Sequence, residues 1–364
     1  MLPMPRTKAV SLFVKLTAVL TLGLSLAACE EQADQAALQA PTLYKVSKDI
    51  IWSSPNGQAL MLDIYTPNTD EGPYPVIVMF HGGGWLINDQ SIMTQSAQYL
   101  ASNARYVICN VNYRLLVDND NTVELTDIIN DAFGAVFWVK DFIGAYGGDA
   151  SRLIVTGDSA GAHLAATIVT LGHQIAQTET FGGGWFSPSY PETHTGTRFQ
   201  PLEVQAAVLH YGLFDVLQLA NQGFEKWFNP FWLIKGSLGR GLFGEDVNVE
   251  KHPQRYRTVS PIHNIPDRSE HILPPQLATV GSEDPVVTPE AVKHYVSEVR
   301  DAGQTVEYWE FQGRSHAYLD SGSSFESDAP IALDNMIEFL DAIFYPLPNH
   351  AETSDKSGNG RLRN

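Results

Sequence analysis

The sequence predicts an α/β domain built around a mostly parallel, doubly wound sheet. Two features carry this expectation. The runs Pro75–Phe80, Tyr106–Val111 and Leu153–Thr156 are apolar without alternation, as strands buried on both faces are. Between and after them lie stretches whose apolar residues recur every three or four positions, so strand and helix patterns alternate along the chain. Composition agrees: 44% hydrophobic and 18% charged residues describe a folded core, not an acidic disordered chain. The 364 residues fit one domain with insertions.

The first 28 residues stand apart. Arg6, Lys8 and Lys15 precede or open an apolar stretch from Leu16 to Ala28 that contains no acid, which predicts an export signal. It ends in Leu26-Ala27-Ala28-Cys29, which resembles the bacterial lipobox, where the cysteine becomes the first residue and carries lipid. Only two cysteines occur, so no internal disulfide framework is expected. The resemblance implies an exported, membrane-anchored bacterial lipoprotein that faces the periplasm or the cell exterior and is held through lipid on Cys29. The alternatives are an incidental cysteine beside an ordinary cleavage site, or a retained anchor, for which the apolar run is short. A formal charge of −18 with no run of Lys and Arg excludes nucleic acid as a partner and leaves membrane attachment to the lipid. Oligomeric state is not readable.

Segment 29–47 is read as lipidated cysteine and tether, because residues 30–41 are small and polar. Ile50-Ile51-Trp52 and Leu60–Tyr65 read as paired strands around the Ser54-Pro55-Asn56-Gly57 turn. Ile129, Ala132, Val136, Val139 and Ile143 give one face of a helix over 126–146, with Asp127 in its first turn. Another helix is expected over 289–302, with Thr288 as cap, Pro289 at its first position and Gly303 after its end. A strand over 305–311 and a helix over 331–344 close a domain assigned to 48–345, followed by a polar tail, 346–364, expected to be mobile. Two aromatic-rich stretches, 173–203 and 213–258, break the rhythm and are read as insertions. The second is expected to cap the active site, with additional core helices as the alternative.

Gly157-Asp158-Ser159-Ala160-Gly161 is a G-x-S-x-G pentapeptide between a strand and a helical run. Such a turn is tight enough to demand small residues two positions either side of the serine, and it exposes the hydroxyl at the sheet edge. Ser159 is therefore the candidate nucleophile, against the reading of a helix-capping serine. Phe80-His81-Gly82-Gly83-Gly84-Trp85 follows a strand, and its glycines let backbone amides approach a developing oxyanion. Gly83 and Gly84, with Ala160, are the candidate oxyanion donors, and His81 is read as structural. In this strand–turn–helix setting the base comes last, after the acid. His316, in Gly313-Arg314-Ser315-His316-Ala317-Tyr318, is the candidate base, with His210 as rival. Asp284, just beyond the apolar run Gln276–Val280, is the candidate acid, with Glu283 and Asp215 as alternatives.

Taken together, these residues resemble the hormone-sensitive-lipase-like esterases and lipases of the α/β-hydrolase fold. The likeness spans about residues 48–345: HGGGW at 81–85, Asn112-Tyr113-Arg114-Leu115, Asp131, Tyr146-Gly147-Gly148-Asp149, GDSAG at 157–161, Asp284-Pro285 and Ser315-His316 follow in order. It implies a cofactor-free, metal-free serine carboxylesterase acting on a small-molecule ester, with cap insertions on the sheet. Leu116-Val117-Asp118 after the Tyr113-Arg114-Leu115 run, and Ala162-His163 after GDSAG, depart from the family pattern, and the second is similar to arylformamidase-like and polysaccharide-esterase relatives. Amide, formamide or polysaccharide acyl-ester cleavage on the same residues is thus the alternative chemistry, and a non-catalytic binding lipoprotein is the other rival.

Overall fold

The computed structural model describes residues 43–69, 71–177, 201–322 and 324–346. The export signal, Cys29, residues 178–200 of the first insertion and the tail from 347 lie outside the described residues.

The apolar runs become strands of one sheet: β1 (Tyr44–Ser53), β2 (Leu60–Pro67), β3 (Tyr74–Phe80), β4 (Val107–Val111), β5 (Gly148–Asp158), β6 (Ala206–His210), β7 (Gln276–Gly281) and β8 (Val306–Phe311). Their spatial order is β1-β2-β4-β3-β5-β6-β7-β8. β2 pairs antiparallel with β1 and β4, and every later pair is parallel. Every residue of β3, β4, β6 and β7 is buried, the pattern that strands covered on both faces require. β1 differs. It is an edge strand whose one apolar run, Ile50-Ile51-Trp52, pairs with β2 as expected, but whose earlier residues are polar and mostly exposed, and it begins at Tyr44. Residues 44–47, expected to be tether, therefore belong to the sheet.

Among the described residues the α-helices longer than four residues are α1 (Thr94–Asn103), α2 (Leu125–Phe142), α3 (Ala160–Leu171), α4 (Val216–Asn221), α5 (Pro230–Ile234), α6 (Pro253–Thr258), α7 (Pro289–Asp301) and α8 (Phe325–Phe344). α2 starts at a reciprocal cap in which Glu124 and Asp127 each accept from the other's backbone amide. α7 starts where Thr288 accepts from the Ala291 amide, and Gly303 follows it at φ 74°. α8 begins at Phe325, earlier than its apolar spacing suggested, because Pro330 sits inside it. A proline ordinarily marks a helix start, which is why the preceding turn read as loop. α1, unanticipated, buries only Ser96, Ala97, Leu100 and Ala101, too small and polar a stripe to announce itself.

The core lies between sheet and helices, and all eight strands with their packing partners fall within 44–345, so the unit Leu43–Asn364 carries its own core. The parallel strands end in step: Phe80 pairs with Gly157, Asp158 with His210, His210 with Thr279, and Gly281 with Phe311. Loops leaving these ends converge at the carboxyl edge, where sheets of this kind place their sites.

Candidate active site

The turn from β5 into α3 is the sharpest feature of that edge. Ser159 has φ 50° and ψ −115°, a conformation costly for a residue with a side chain, and it is held there from both sides. Its amide donates to the His210 carbonyl at 2.9 Å, and its carbonyl accepts from the His163 amide at 3.2 Å. A Cβ at Gly161 would collide with the Phe80 carbonyl, and one at Gly157 with the Gly161 backbone. Only this glycine pair lets helix and strand approach closely enough to present the hydroxyl.

The structure brings Ser159, His316 and Asp284 into one line from three different strand ends. His316 Nε2 lies 3.1 Å from Ser159 Oγ, and His316 Nδ1 lies 2.7 Å from Asp284 Oδ2. The other Asp284 oxygen accepts from the Val286 and Val287 amides at 2.8 and 2.9 Å, which fixes the carboxylate plane toward the imidazole. Tyr211 packs edge-on against the His316 ring, 4.8 Å between centroids. The alternatives have other partners. Asp215 caps α4 and lies 3.6 Å from His263, whereas His210 is buried against Thr279 at 2.8 Å. Burial lowers the His210 pKa to about 3, so its ring is neutral. His163 is likewise buried and held by the Val259 carbonyl at 2.7 Å.

Gly83 and Gly84 adopt φ 112° and 62° and line the same cavity as Ser159 and His316. At Gly83 a side chain would strike the Ile87 carbonyl, whose amide in turn donates to Gly83 O at 3.1 Å. Ala160 stands at the first turn of α3, where amides have no helical acceptor. His81 does not face the serine. It stacks on Tyr113 at 4.3 Å and lies 3.2 Å from Asn112 Oδ1, while the Tyr113 hydroxyl donates to His81 O at 2.6 Å. Burial holds its pKa below the ordinary value. Arg114 extends the brace, gripping buried Asp131 with Nε and Nη2, each at 2.7 Å. The Asn112–Arg114 run thereby fastens the glycine loop to α2.

The cavity over Ser159 measures about 220 Å³, and its walls are mainly apolar: Ile87, Leu213, Leu219, Phe224, Phe231 and Val286. Four of these come from the 213–258 stretch, whereas its Trp232 and Tyr256 are buried in the core. Two carboxyls that sequence reasoning passed over also line it. Burial, then the nearby Asp320, pushes the Asp158 carboxyl well above the usual range, against hydrogen bonds from the Gly82 amide and Tyr211. Asp158 Oδ1 is buried with no hydrogen-bond partner among the described residues. Asp320 is raised to about 6 by burial, with His316 opposing the rise. Asp158 was visible as part of the pentapeptide, but nothing in the sequence marked Asp320 as its neighbour. Among the described residues, no three His, Cys, Asp or Glu side chains converge as metal ligands.

Known proteins resemble this chain in sequence and in fold. A family model, BD-FAE, matches residues 62–298. The esterase LipQ of Mycobacterium tuberculosis is 26% identical over 267 residues, covering 72% of this chain and 55% of LipQ. A phenmedipham hydrolase from Pseudarthrobacter oxydans is 28% identical over 214 residues, 53% of this chain and 41% of its own length. The chain thus spans about half the length of the curated relatives it matches. Among solved structures, esterase Est2 of Thermogutta terrifontis superposes with a TM-score of 0.61 at 22% identity, covering 86% of this chain and 96% of that one. A truncated carbohydrate esterase from gut microbiota gives 0.60 at 18% identity, over 82% and 96%. These likenesses establish the α/β-hydrolase fold.

Proposed function

The chain belongs to the BD-FAE family, and from that premise and the geometry above we propose that it is a serine hydrolase of carboxylic esters with short acyl groups. The observation that carries this reading is the continuous Ser159–His316–Asp284 line, 3.1 and 2.7 Å, opening into an apolar cavity.

Ser159 Oγ attacks the ester carbonyl as its proton passes to His316 Nε2. Asp284, already bonded to Nδ1, holds the ring in register and stabilises the imidazolium. The amides of Gly83, Gly84 and Ala160 receive the oxyanion, a contribution worth about 10² to 10³ in rate for one well-placed donor. Collapse of the tetrahedral species breaks the ester C–O bond, and His316 returns the proton to the departing alcohol. Water, deprotonated by the same nitrogen, then releases the acid and restores the serine. The cavity volume and the aromatic wall of Phe224 and Phe231 favour a short acyl group over a long chain.

A fluorophosphonate probe should label the protein and fail to label Ser159→Ala, and p-nitrophenyl esters from acetate to palmitate should show turnover peaking at short chains. Turnover in Ser159→Ala at a tenth of the parent rate would remove the assignment. Labelling without ester turnover would move the substrate to amides or acylated polysaccharide. Asp284→Asn should keep labelling slow and cut kcat by about 10⁴.

We further propose that the protein acts outside the cytoplasm, held to a membrane through lipid on Cys29. Its support is the basic and apolar character of residues 1–28 and the Leu26-Ala27-Ala28-Cys29 sequence. Incorporation of labelled palmitate by the full chain, abolished in Cys29→Ser, is the expected result.

A further inference from the structure

The 213–258 stretch has a second face. In α5 the sequence Pro-Phe-Trp-Leu-Ile divides: Phe231 lines the Ser159 cavity and Trp232 is fully buried, its indole N–H donating to the Phe224 carbonyl at 3.0 Å. Leu233 and Ile234 point outward. With Trp227, Phe228 and Leu238 they make five large apolar side chains within twelve residues, each about half or more exposed, Trp227 and Ile234 at 66%. Trp227 and Phe228 pack edge to face at 5.4 Å, so the patch holds a shape of its own. Apolar surface so concentrated is unusual on a monomer and marks a place of contact.

The patch also lies beside the mouth of the cavity. Ile234 and Lys235 line a depression of about 450 Å³ whose wall includes Ile87 and Asn88, and both of those residues line the Ser159 cavity. Lys226 and Lys235 flank it, exposed, in a chain with 23 basic and 41 acidic residues. Asp89 is the acid near Lys235, held below the usual carboxylate range mainly by Ser91. Aromatic and aliphatic side chains framed by long-stemmed lysines suit an interface between hydrocarbon and phosphate, where the ammonium groups can reach the headgroups. At physiological salt the repulsion from the remaining negative charge is screened beyond about 8 Å.

We propose that the Trp227–Leu238 surface seats the body on a phospholipid layer, with its five apolar side chains entering the interface and Lys226 and Lys235 meeting lipid phosphates. This orients the cavity mouth toward the lipid. Among the described residues no helix is long and apolar enough to cross a membrane, and the contact proposed for this surface is peripheral. The inference rests on the membrane-attached reading, and its test separates the two by omitting Cys29.

The test uses residues 30–364, which include the whole self-contained unit, floated with vesicles of phosphatidylcholine and phosphatidylglycerol (three to one). The parent should partition to the vesicles, and Trp227→Ser/Phe228→Ser should lower the partition coefficient by about tenfold or more. Both forms should hydrolyse p-nitrophenyl acetate within about twofold of each other, showing that the substitutions leave the fold intact. A parent that fails to bind, or a variant that binds equally well, overturns the proposal. So does a parent that self-associates through this face and ignores lipid. If lipidated full-length protein floats while residues 30–364 do not, the surface fails and the anchor stands; the reverse pattern would retain the surface and remove the anchor.

Discussion

Replacing Asp320 with Asn should stabilise the protein at neutral pH and leave it unchanged in acid. Asp320 shares the cavity wall with Ser159, His316 and Asp158, and burial raises its pKa from 3.8 to about 6. A carboxyl raised on folding binds its proton more tightly in the native state. Its favourable contribution is therefore complete below the unfolded value, near 3.8, and is lost as pH climbs through about 6. A rise of this size corresponds to about 3 kcal/mol in full. Asp320 is only half-buried in the cavity wall, so solvent screening reduces the expected gain of Asp320→Asn to about 1–2 kcal/mol at pH 7.5. Urea unfolding followed by tryptophan fluorescence, from pH 3.5 to 7.5, measures it. The two curves should coincide at the acid end and separate between pH 4 and 6. A gap independent of pH, or a parent more stable than the variant at pH 7.5, would refute the argument that Asp320 is strained by ionisation.

Two further substitutions probe the scaffold around the serine. Asp131→Ala leaves the Arg114 guanidinium buried without its bidentate partner and should cost about 3–5 kcal/mol in a denaturation midpoint, with Asp131→Asn less severe. Gly83→Ala puts a Cβ against the Ile87 carbonyl at φ 112°, so it should cut kcat by about 10² or more while circular dichroism stays that of the parent.

Much of the fold was legible because its strands are uninterrupted. β3 and β4 are apolar or nearly so and, like β7, buried throughout, and short runs of that kind, set between stretches of helical spacing, form central strands of a parallel sheet. What stayed hidden follows from the same logic. The first residues of β1, 44–47, pair on one side only and are mostly exposed, so their backbone bonds to β2 define them more than their side chains do, whereas Ile50-Ile51-Trp52 further along the same strand was readable. α1 buries Leu100 among three small residues, Ser96, Ala97 and Ala101, and reads as loop. Pro330 obscured the first turn of α8, since a proline inside a helix is indistinguishable in sequence from one at its start.

The site divides along a similar boundary. Ser159, Asp284, His316 and the glycines all follow the carboxyl ends of parallel strands, so once the strands were located the loops after them could be searched for chemistry. The cavity wall has no such rule. Phe224 enters it because its ring meets the edge of Trp85 at 5.9 Å, a contact between segments that only the folded chain brings together, while its carbonyl takes the Trp232 indole N–H within the same stretch. Asp320 comes beside Asp158 for the same kind of reason: the loop after His316 turns back, with Ala317 at φ 63° and the Asp320 amide donating to the Ala317 carbonyl. A nucleophile must sit where backbone geometry exposes it, and that geometry leaves a motif. A wall has only to fill space and carry the right polarity, which many residues do equally well. If the protein is the proposed esterase, Leu213, Leu219, Phe224, Phe231 and Val286, positions without a motif, would set its substrate preference, and exchanging Phe231 for a smaller residue should shift acyl-length preference without disturbing the 3.1 Å Ser159–His316 contact.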